Sequence, residues 1–304
     1  MAQCLLSCLI DTHKTMYDIC CIGHITSDKI VNAQTTSYQP GGTAWYFSCA
    51  MQNLPINYLL ATALAPAEMH YVNELRDKGI SIQVQPSAHT VYFENIYGDN
   101  PDHRTQNVLH KADAFSLDEL LNIDAKLFHL GPLLADDIST EIIKTLAKKS
   151  TVTLDIQGYL REVINGKVHA TGWREKAEAL QYISILKTDV AELKALTGLN
   201  SVTDGAKQVA DWGVKELIVT NGSQGSVIYA DGDVFQIPAY PPKKLIDATG
   251  CGDTYMAGYL YQRDKGVPIQ QAGEFAAAMA SLKIEKAGAF DGDEADVLAI
   301  LNKY

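Results

Sequence analysis

Residues 247–253 read DATGCGD, and a helix-like run, TYMAGYLYQRD, follows them directly. Two glycines, a small thiol and a carboxylate at a helix start can form a turn that ends in an acidic residue, because glycine adopts unusual backbone angles and carboxylates stabilise helix N-termini. The same residues can instead form an anion cradle, in which free backbone N–H groups hold a phosphate and the acid performs chemistry beside it. The rest of the chain decides between these two interpretations.

Three common loops for nucleotide binding or acyl transfer are absent from the sequence. A Walker loop needs the pattern G-x-x-x-x-G-K-[ST], but the only Gly-Lys pair is Gly166-Lys167, and Val168 follows it. A dinucleotide-binding G-x-G-x-x-G pattern fails because Tyr255 stands where the third glycine would fall. The G-x-S-x-G elbow of serine hydrolases is missing as well. The 247–253 loop therefore belongs to another type.

Composition narrows the class of partner. With 304 residues and 47% hydrophobic content, the chain can bury a large core and fits one large α/β domain or two smaller ones. A formal net charge of −11 argues against nucleic acid or a membrane surface as the partner, because proteins that bind those phosphates cluster Lys and Arg. We therefore expect a small-molecule partner, with any nucleotide phosphates held by backbone dipoles and Mg²⁺ more than by lysines.

The cysteines and the N-terminus predict a cytoplasmic protein. The six cysteines form no C-x-x-C pair and no His/Cys spacing suited to zinc, so we expect reduced, mostly buried thiols. The opening stretch, MAQCLLSCLIDTHK, has an apolar run of seven residues, which is too short for a membrane span and makes a poor signal peptide. Because Met16 precedes a clear strand pattern, residues 1–15 are predicted to be an N-terminal extension.

Strand-like and helix-like segments alternate along the chain. The predicted strands are YDICCIG (17–23), NYLLATAL (57–64), LFHLGPL (127–133), TVTLDIQG (151–158), YISILKT (182–188) and ELIVTNG (216–222). Several are nearly continuous apolar runs that end in Gly, Asp or Thr, as expected for parallel strands covered on both faces. The predicted helices include AWYFSCAMQNL, AEMHYVNELRDKG, STEIIKTLAKK, REKAEALQ, VAELKALTG and TDGAKQVADWG. This alternation predicts an α/β fold with a doubly wound, mainly parallel sheet flanked by helices.

Two polar segments interrupt the alternation. Residues 29–40, KIVNAQTTSYQP, and 89–109, HTVYFENIYGDNPDHRTQNVL, are rich in β-forming residues and poorly placed for the main sheet. We interpret them as a small β flap or lid over the open edge of the sheet; ordinary surface hairpins are the alternative. Because the chain has no internal repeat and no Pro-rich linker, residues 16–304 are predicted to form one domain.

Polar motifs follow the predicted strands, where such a sheet binds its ligands. Ligands gather at the carboxyl ends of the strands, because loops there lead into helix N-termini. GHITSD follows the first strand, DIQGYLR the strand near 154, KTDVAE the strand near 185 and TNGSQG the strand near 219. The informative residues therefore lie where a ligand is expected.

The content and order of these motifs resemble one family. DATGCGDTYMAGYL is similar to the C-terminal signature D-T-x-G-A-G-D of the ribokinase-like family, the PfkB-type carbohydrate kinases, with Ala248 for the usual Thr and Cys251 at a position that accepts Ala or Cys. PGGTAWYFSCAMQNL resembles its N-terminal signature, and GHITSD its first-strand substrate motif. LKTDVAELKALTG is similar to L-K-x-N-x-x-E-x-x-x-L-T-G, and VTNGSQGSVIY to V-T-x-G-x-x-G. The resemblance spans residues 16–290.

The resemblance implies phosphoryl transfer to an alcohol, and the 247–253 loop fits this reaction. The transfer needs a base on the attacking hydroxyl and dipoles that absorb charge on the moving phosphoryl oxygens. Asp253 is the candidate base, and the backbone N–H groups of Gly250, Cys251 and Gly252 are the candidate anion hole. A structural N-cap at Asp253 is the alternative.

The resemblance also implies which residues contact the phosphoryl donor. The donor is expected to be ATP with Mg²⁺, and a monovalent cation such as K⁺ is a further candidate cofactor. The expected nucleotide contacts are Asp189, Glu192, Thr220, Gly222, Gly225 and Thr249. Glu192 is the candidate Mg²⁺ ligand, acting through water because Mg²⁺ keeps much of its hydration shell. A solvated helix face is the alternative for Glu192.

The acceptor is expected to contact Asp28, Gly41, Gly42 and Arg104. Asp28 would accept hydrogen bonds from hydroxyl groups, and the glycine pair would let the acceptor approach the backbone. The alternative for Asp28, Gly41 and Gly42 is that they only form a tight turn. Arg104 lies in the predicted lid and would reach the site from there, unless it is a solvated hairpin arginine.

Departures from the family pattern bear on the acceptor. Thr43 and Tyr46 replace the Lys and Asn of ribokinases proper, which argues against ribose, and Asp189 replaces the usual Asn. LDIQGYLR resembles the D-I-Q-G of inositol kinases more than the D-P-N-x-R of many fructokinase-like members. We therefore predict an ATP-dependent kinase of a small neutral sugar or polyol, with inositol-like polyols favoured and a homodimer through the lid as the candidate assembly.

Two alternatives stay open at this point. A nucleoside kinase of the same family would stack aromatic side chains on a base, and Tyr46, Phe93 and Tyr97 are the candidates. A sugar-binding regulator would keep the fold and lose turnover. The intact Asp253 and glycine loop argue against the regulator, because a pure binder needs no base.

Overall fold

The structure, a computed structural model, describes residues 16–31, 35–97 and 104–304. The predicted extension over residues 1–15 lies outside this part of the chain. The strands are β1 (Tyr17–Gly23), β2 (Thr26–Val31), β3 (Thr36–Gly41), β4 (Tyr58–Leu64), β5 (Ser81–Pro86), β6 (Val91–Tyr97), β7 (Arg104–His110), β8 (Ala125–Gly131), β9 (Thr151–Asp155), β10 (Arg161–Ile164), β11 (Lys167–Ala170), β12 (Ile185–Asp189), β13 (Glu216–Thr220), β14 (Ser226–Ala230) and β15 (Asp233–Ile237). The helices are α1 (Gly42–Met51), α2 (Met69–Asp77), α3 (Leu117–Leu120), α4 (Thr140–Ala147), α5 (Lys176–Ala179), α6 (Val190–Thr197), α7 (Val202–Asp211), α8 (Cys251–Asp264), α9 (Ile269–Ile284) and α10 (Glu294–Leu301).

The main sheet is largely parallel. Its nine strands lie in the order β15-β14-β13-β12-β9-β8-β1-β4-β5. The edge strands β14 and β15 pair antiparallel, whereas β1 lies parallel between β8 and β4. Because the strand order reverses beside β1, a ligand crevice is expected outside the carboxyl ends of these strands. The predicted doubly wound α/β fold is confirmed.

Helices cover both faces of this sheet because its central strands are apolar on both. Every residue of β4 is buried. On one face, Ile19 of β1 packs in a core with Phe47 of α1 and Leu260 of α8. On the other face, Ile22 packs with Ile143 of α4 and other helix residues. The burial of each such side chain contributes about 1.5–3 kcal/mol to the free energy of unfolding. This packing fixes the strand ends and the helix starts relative to each other.

The two polar segments form strands of a second sheet rather than isolated surface hairpins. This six-stranded sheet has the order β10-β11-β7-β6-β2-β3, and we call it the lid sheet. Asp28 of β2 pairs in register with Phe93 of β6 and with Gln39 of β3. The β10–β11 hairpin was not predicted, although Asn165 and Gly166 at its turn have positive φ values of 51° and 73°, as an Asn-Gly hairpin turn requires.

Candidate active site

A cavity of about 730 Å³ opens where the strand ends of the main sheet face the lid sheet. Its volume suits a small molecule together with part of a second one. Its charged lining residues are Asp28, Asp155, Asp189, Glu192, Asp247, Asp253, Arg161 and Lys187. Six carboxylates therefore face two basic side chains, and the cavity carries a negative formal charge.

The 247–253 loop forms one wall of this cavity. Gly250 is the N-cap of α8 and has a φ of 76°, a left-handed conformation that favours glycine. A side chain at this position would also collide with the ring of Tyr46. Gly250 and Gly252 both line the cavity, at the positive end of the α8 dipole, where backbone N–H groups bind anions.

Cys251, the third predicted member of the anion hole, makes its contacts elsewhere. Its backbone N–H donates to the Ala248 carbonyl at 3.2 Å, and its thiol donates to the Ala280 carbonyl of α9 at 3.8 Å. Burial raises the pKa of this thiol to about 11, so the side chain stays neutral. The structure thus places Gly250 and Gly252 at the cavity and turns Cys251 towards α9.

Asp253 lies in the first turn of α8 and lines the cavity. Because Gly250 is the N-cap and α8 has no side-chain cap, the capping role considered for Asp253 is not observed. Burial and the neighbouring Asp155 carboxylate raise the pKa of Asp253 to about 6, against the opposing effects of Lys187 and of a hydrogen bond with Thr43. A carboxyl with this pKa is largely ionised at neutral pH and still basic enough to take a proton.

A buried ion pair lies beside the 247–253 loop, which we call the glycine turn. Asp155 at the end of β9 and Lys187 of β12 are register partners, and Lys187 Nζ donates to Asp155 Oδ2 at 2.6 Å. Burial opposes ionisation of both groups, but their attraction prevails, so the pKa of Asp155 is lowered and that of Lys187 is raised. A Cβ on Gly252 would lie 3.0 Å from Lys187 Nζ. A fixed ammonium therefore adjoins the turn. The sequence motifs had not predicted this role for Lys187.

Asp189 and Glu192 form a capping box at the start of α6. Asp189 Oδ1 accepts the Glu192 N–H at 2.7 Å, and Glu192 Oε2 accepts the Asp189 N–H at 2.8 Å. Burial and the Asp155 charge raise the pKa of Glu192 to about 7, although Lys187 opposes them. Both side chains line the cavity, so Glu192 does not lie on a solvated helix face.

The remaining predicted donor contacts divide into two groups. Thr220 and Thr249 line the cavity. Gly222 and Gly225 flank it in the loop after β13, and they are not among its lining residues. Gly225 has a φ of 85°, and a side chain there would collide with the backbone at Ile237, so this glycine permits a tight contact with the end of β15.

Asp28 and Gly42 reach the cavity from the lid sheet and the start of α1. The Thr26 hydroxyl donates to Asp28 Oδ1 at 2.7 Å. Gly41 is not a lining residue; a Cβ at this position would lie 2.5 Å from Asp28 Oδ2. Gly41 therefore makes room for the Asp28 carboxylate, and its contact with the acceptor stays a prediction.

Other residues of the lid sheet also line the cavity. Gln106 Nε2 donates to Asn95 Oδ1 at 3.0 Å, and both residues line the cavity with Arg161 of β10. Arg161 follows the DIQGYL stretch directly, so its position in the DIQGYLR motif was the available signal for it. The side chains of Arg104 and Tyr97, which the sequence analysis named, lie outside the described part of the structure.

The carboxylates of Asp189 and Glu192 are of the kind that suits Mg²⁺ held partly by water. Within residues 16–31, 35–97 and 104–304, no group of three or more His, Cys, Asp and Glu side chains is arranged to hold a metal. Mg²⁺ in phosphoryl-transfer enzymes needs no such cage, since one or two carboxylates, waters and substrate phosphates complete its octahedron. Asp189 and Glu192 supply carboxylates of that kind.

Nearly the whole chain matches one protein family. Residues 8–296 match the pfkB family carbohydrate kinase model. The chain therefore belongs to the pfkB family of carbohydrate kinases and has the ribokinase-like fold. Kinases of this family use ATP, typically with Mg²⁺. Among the described residues, no helix is both long and apolar enough to cross a membrane.

Three relatives illustrate the range of acceptors. A cytidine kinase of Thermococcus kodakarensis is 24% identical over 266 residues, which cover 84% of this chain and 92% of that kinase. The ribokinase of Arabidopsis thaliana is 28% identical over 233 residues, which cover 73% of this chain and 58% of that protein. A solved pyrophosphate-dependent kinase in the ribokinase family, complexed with a pyrophosphate analog and myo-inositol, has a TM-score of 0.82 and 26% identity, covering 92% of this chain and 99% of that one. The relatives agree on the class of reaction and differ in substrate.

Proposed function

We propose that this kinase transfers the γ-phosphoryl group of ATP to a hydroxyl of a small neutral sugar or polyol, with an inositol-like ring favoured. The observation that carries the proposal is the convergence of Asp253, the Gly250–Gly252 turn and Lys187 on a cavity whose opposite wall bears Asp28. A base, an anion-binding turn and an acceptor-binding carboxylate within one cavity meet the positional needs of an in-line transfer.

Asp253 acts as the base in this proposal. It takes the proton of the attacking hydroxyl while the hydroxyl oxygen bonds to the γ-phosphorus and the bond from that phosphorus to the bridging oxygen of ADP breaks. The N–H groups of Gly250 and Gly252 and the ammonium of Lys187 stabilise the charge on the transferred phosphoryl oxygens. Because Asp155 holds Lys187 in place at 2.6 Å, that charge needs little reorganisation during the reaction.

The part of the cavity lined by Asp189, Glu192 and Thr220 is proposed to bind the nucleotide phosphates, and we call it the donor end. Mg²⁺, when bound there, neutralises phosphate charge. Asp189 and Glu192 are the proposed carboxylates, with Glu192 acting through water, and Thr220 and Thr249 offer hydroxyl groups to the donor. Gly222 and Gly225 are proposed to shape the loop that meets the rest of the nucleotide.

The charge of the cavity supports a neutral acceptor. In this proposal the acceptor hydroxyl lies between Asp28 and Asp253, which both line the cavity, and a phosphate on the acceptor would be repelled by both carboxylates. The amides of Asn95 and Gln106, with Asp28, suit a ring bearing several hydroxyl groups, since they offer both donors and acceptors. Arg161 adds a donor for one further oxygen.

Burial of the aromatic side chains supports a polyol over a nucleoside. Tyr46 and Phe93 are 3% and 5% exposed. Tyr46 packs against Gly250, and Phe93 packs in the lid core with Val91 and Val108. Both side chains also line the cavity, but with most of their surface packed internally they offer little free area for stacking on a base.

Pyrophosphate is a second candidate donor. The relative complexed with a pyrophosphate analog and myo-inositol is named a pyrophosphate-dependent kinase. The donor end of this cavity is lined mainly by polar side chains, among them Lys187, Glu192 and Thr220, which suit phosphates better than a purine ring. Under this alternative, the roles of Asp253 and of the glycine turn are unchanged.

A matrix of donors and acceptors tests the proposal. The full chain is assayed with ATP or pyrophosphate against neutral sugars, inositols, nucleosides and sugar phosphates, with the phosphorylated product detected directly. We expect the highest kcat/KM with ATP and a neutral polyol. A preference for pyrophosphate would move the donor assignment to the alternative, and a strong preference for sugar phosphates or nucleosides would refute the neutral-polyol proposal.

Asp253→Asn tests the base in the same assay. The substitution keeps size and removes basicity, so kcat is expected to fall on the order of 10²-fold or more while the donor KM changes little. Asp264→Asn, at the other end of α8, is the matched control and should keep wild-type turnover. Near-normal turnover of Asp253→Asn would rule out Asp253 as the base.

The lid sheet is also the proposed homodimer interface. Its strands expose Tyr38, Leu109 and Ile164 by 62%, 43% and 46%, and apolar surface of this kind favours association. Sedimentation analysis of the wild type and of Tyr38→Asp tests the proposal. A wild-type monomer at micromolar concentration would refute it.

A further inference from the structure

Lys283 of α9 carries a fully buried ammonium beside the 247–253 loop. Its side chain is 0% exposed, and Nζ lies 3.1 Å from Asp247 Oδ2. Nζ also donates to the Asp247 backbone carbonyl at 2.7 Å. A buried charge of this kind is costly unless it is paired and hydrogen-bonded. Both oxygens that compensate this ammonium belong to the residue that opens the glycine turn.

Asp247 is held from several directions. Its Oδ1 accepts the Thr249 N–H at 2.9 Å, and its Oδ2 accepts the Gly288 N–H at 3.3 Å. Burial tends to raise the pKa of Asp247, but the hydrogen bonds from Thr249 and Lys283 lower it overall. The ion pair thus ties the start of the turn to the end of α9, and Thr249 passes this restraint on to Gly250.

The same ammonium lies near Tyr46, which lines the cavity. Lys283 Nζ is 5.8 Å from the centre of the Tyr46 ring, within the range of a cation–π contact. Tyr46 lines the cavity and packs where any side chain on Gly250 would be. Lys283 therefore contacts the first residue of the turn and the aromatic ring that supports its glycine.

We propose that Lys283 is a built-in cation that holds the phosphate-binding turn in its active geometry and takes the place of the monovalent cation named above as a candidate cofactor. Two oxygens of Asp247 converge on Nζ, so a K⁺ ion does not fit between them while the lysine is present. Lys283 is a positioning residue, since it acts through Asp247 and Tyr46. The inference rests on the proposed kinase function, and it predicts turnover that is independent of monovalent cations.

Cation exchange in the wild type gives the first test. The kcat measured in K⁺, Na⁺ or choline buffers of equal ionic strength should agree within about twofold, because the required positive charge is covalently attached. A large loss of kcat in choline that K⁺ restores would overturn the inference.

Two substitutions of Lys283 give the second test. Lys283→Met keeps the apolar stem and removes the charge, and kcat is expected to fall about tenfold or more, with the acceptor KM much less affected, because a charge-assisted hydrogen bond to the turn is lost. Lys283→Ala leaves space for a small ion, so NH₄⁺ or K⁺, but not choline, should restore at least severalfold activity. Lys286→Met is the matched control, since Lys286 is 62% exposed and pairs with Asp291 at the surface; it should retain wild-type kcat.

A thermal readout separates this inference from the proposed function. NH₄⁺ should raise the Tm of Lys283→Ala and leave that of the wild type and of Lys286→Met unchanged relative to choline. If the wild type phosphorylates none of the acceptors, the proposed function fails and this Tm difference alone decides the inference. Full kcat in Lys283→Met, or a Lys283→Ala variant that neither NH₄⁺ nor K⁺ rescues in kcat or Tm, would overturn it.

Discussion

The kcat/KM of the wild-type kinase is expected to fall on acidification through pH 6. Asp253 has a pKa of about 6, and only its carboxylate form can accept a proton from the acceptor. Roughly nine tenths of the enzyme carries that carboxylate at pH 7 and roughly one tenth at pH 5, so kcat/KM should differ about tenfold between the two. A carboxyl at its ordinary value of 3.8 would give a nearly flat profile over this range.

The substitution Lys187→Met tests whether the Lys187 charge controls the pKa of Asp253. The Lys187 charge lowers the pKa of Asp253, whereas the Asp155 charge raises it. Removing the ammonium ends the first effect, but it also removes the attraction that keeps the buried Asp155 ionised. A neutral Asp155 no longer raises the pKa of Asp253, and this effect is the larger of the two. The ascending limb of the profile should therefore move to lower pH, in addition to the loss of turnover expected from removing a phosphoryl-binding charge.

The assay measures initial rates at low acceptor and saturating donor between pH 5 and 8. Phosphate groups of the donor titrate near pH 6 as well, so the residual activity of Asp253→Asn serves as the control for that contribution. A flat wild-type profile, or the same limb in Asp253→Asn, would refute the assignment of the limb to Asp253. A limb that stays in place in Lys187→Met would refute the electrostatic coupling of the two residues.

Three further outcomes follow from the site. Asp28→Ala should raise the acceptor KM about tenfold or more and leave the donor KM nearly unchanged, because the lost hydrogen bonds are all on the acceptor side; equal effects on both KM values would contradict this. Gly250→Ala should lower kcat and reduce the free energy of unfolding by about 1–3 kcal/mol, measured by urea denaturation, because the residue has φ of 76° and faces the Tyr46 ring; wild-type stability would contradict it. Saturating acceptor should slow hydrogen exchange in 29–40 and 89–109, and unchanged exchange there would remove the support for closure of the lid sheet.

Most of the parallel strands of the main sheet could be predicted because they are nearly continuous apolar runs in the sequence. β1 and β4 are continuous apolar runs followed by polar motifs, and both were recognised with bounds close to those observed. The antiparallel edge strands β14 and β15 were missed because they are short and lack a continuous apolar run. β14 alternates buried with half-buried residues, and β15 is mostly exposed. The lid segments were predicted as polar β-rich stretches, but their joining with β10 and β11 depends on pairing between distant segments.

The candidate site divides in the same way. Asp253 and its glycines are adjacent in the sequence, so their motif could be interpreted directly. Lys187 lies inside an apolar strand, and its role depends on Asp155, which is its register partner on β9. That pairing requires the strand order, which the sequence does not state. The packing of Gly41 against Asp28 could not be predicted for a similar reason, since this contact arises only when β2 and β3 pair.

The excess of carboxylates in the cavity has a consequence for the end of the catalytic cycle. Under the proposed function, a neutral acceptor would enter without repulsion, whereas the product would carry a phosphate in a cavity that Asp28 and Asp253 both line. Transfer therefore converts a ligand that the carboxylates bind into one that they repel. The repulsion favours departure of the product and weakens its rebinding, so the charge that selects the acceptor also limits product inhibition.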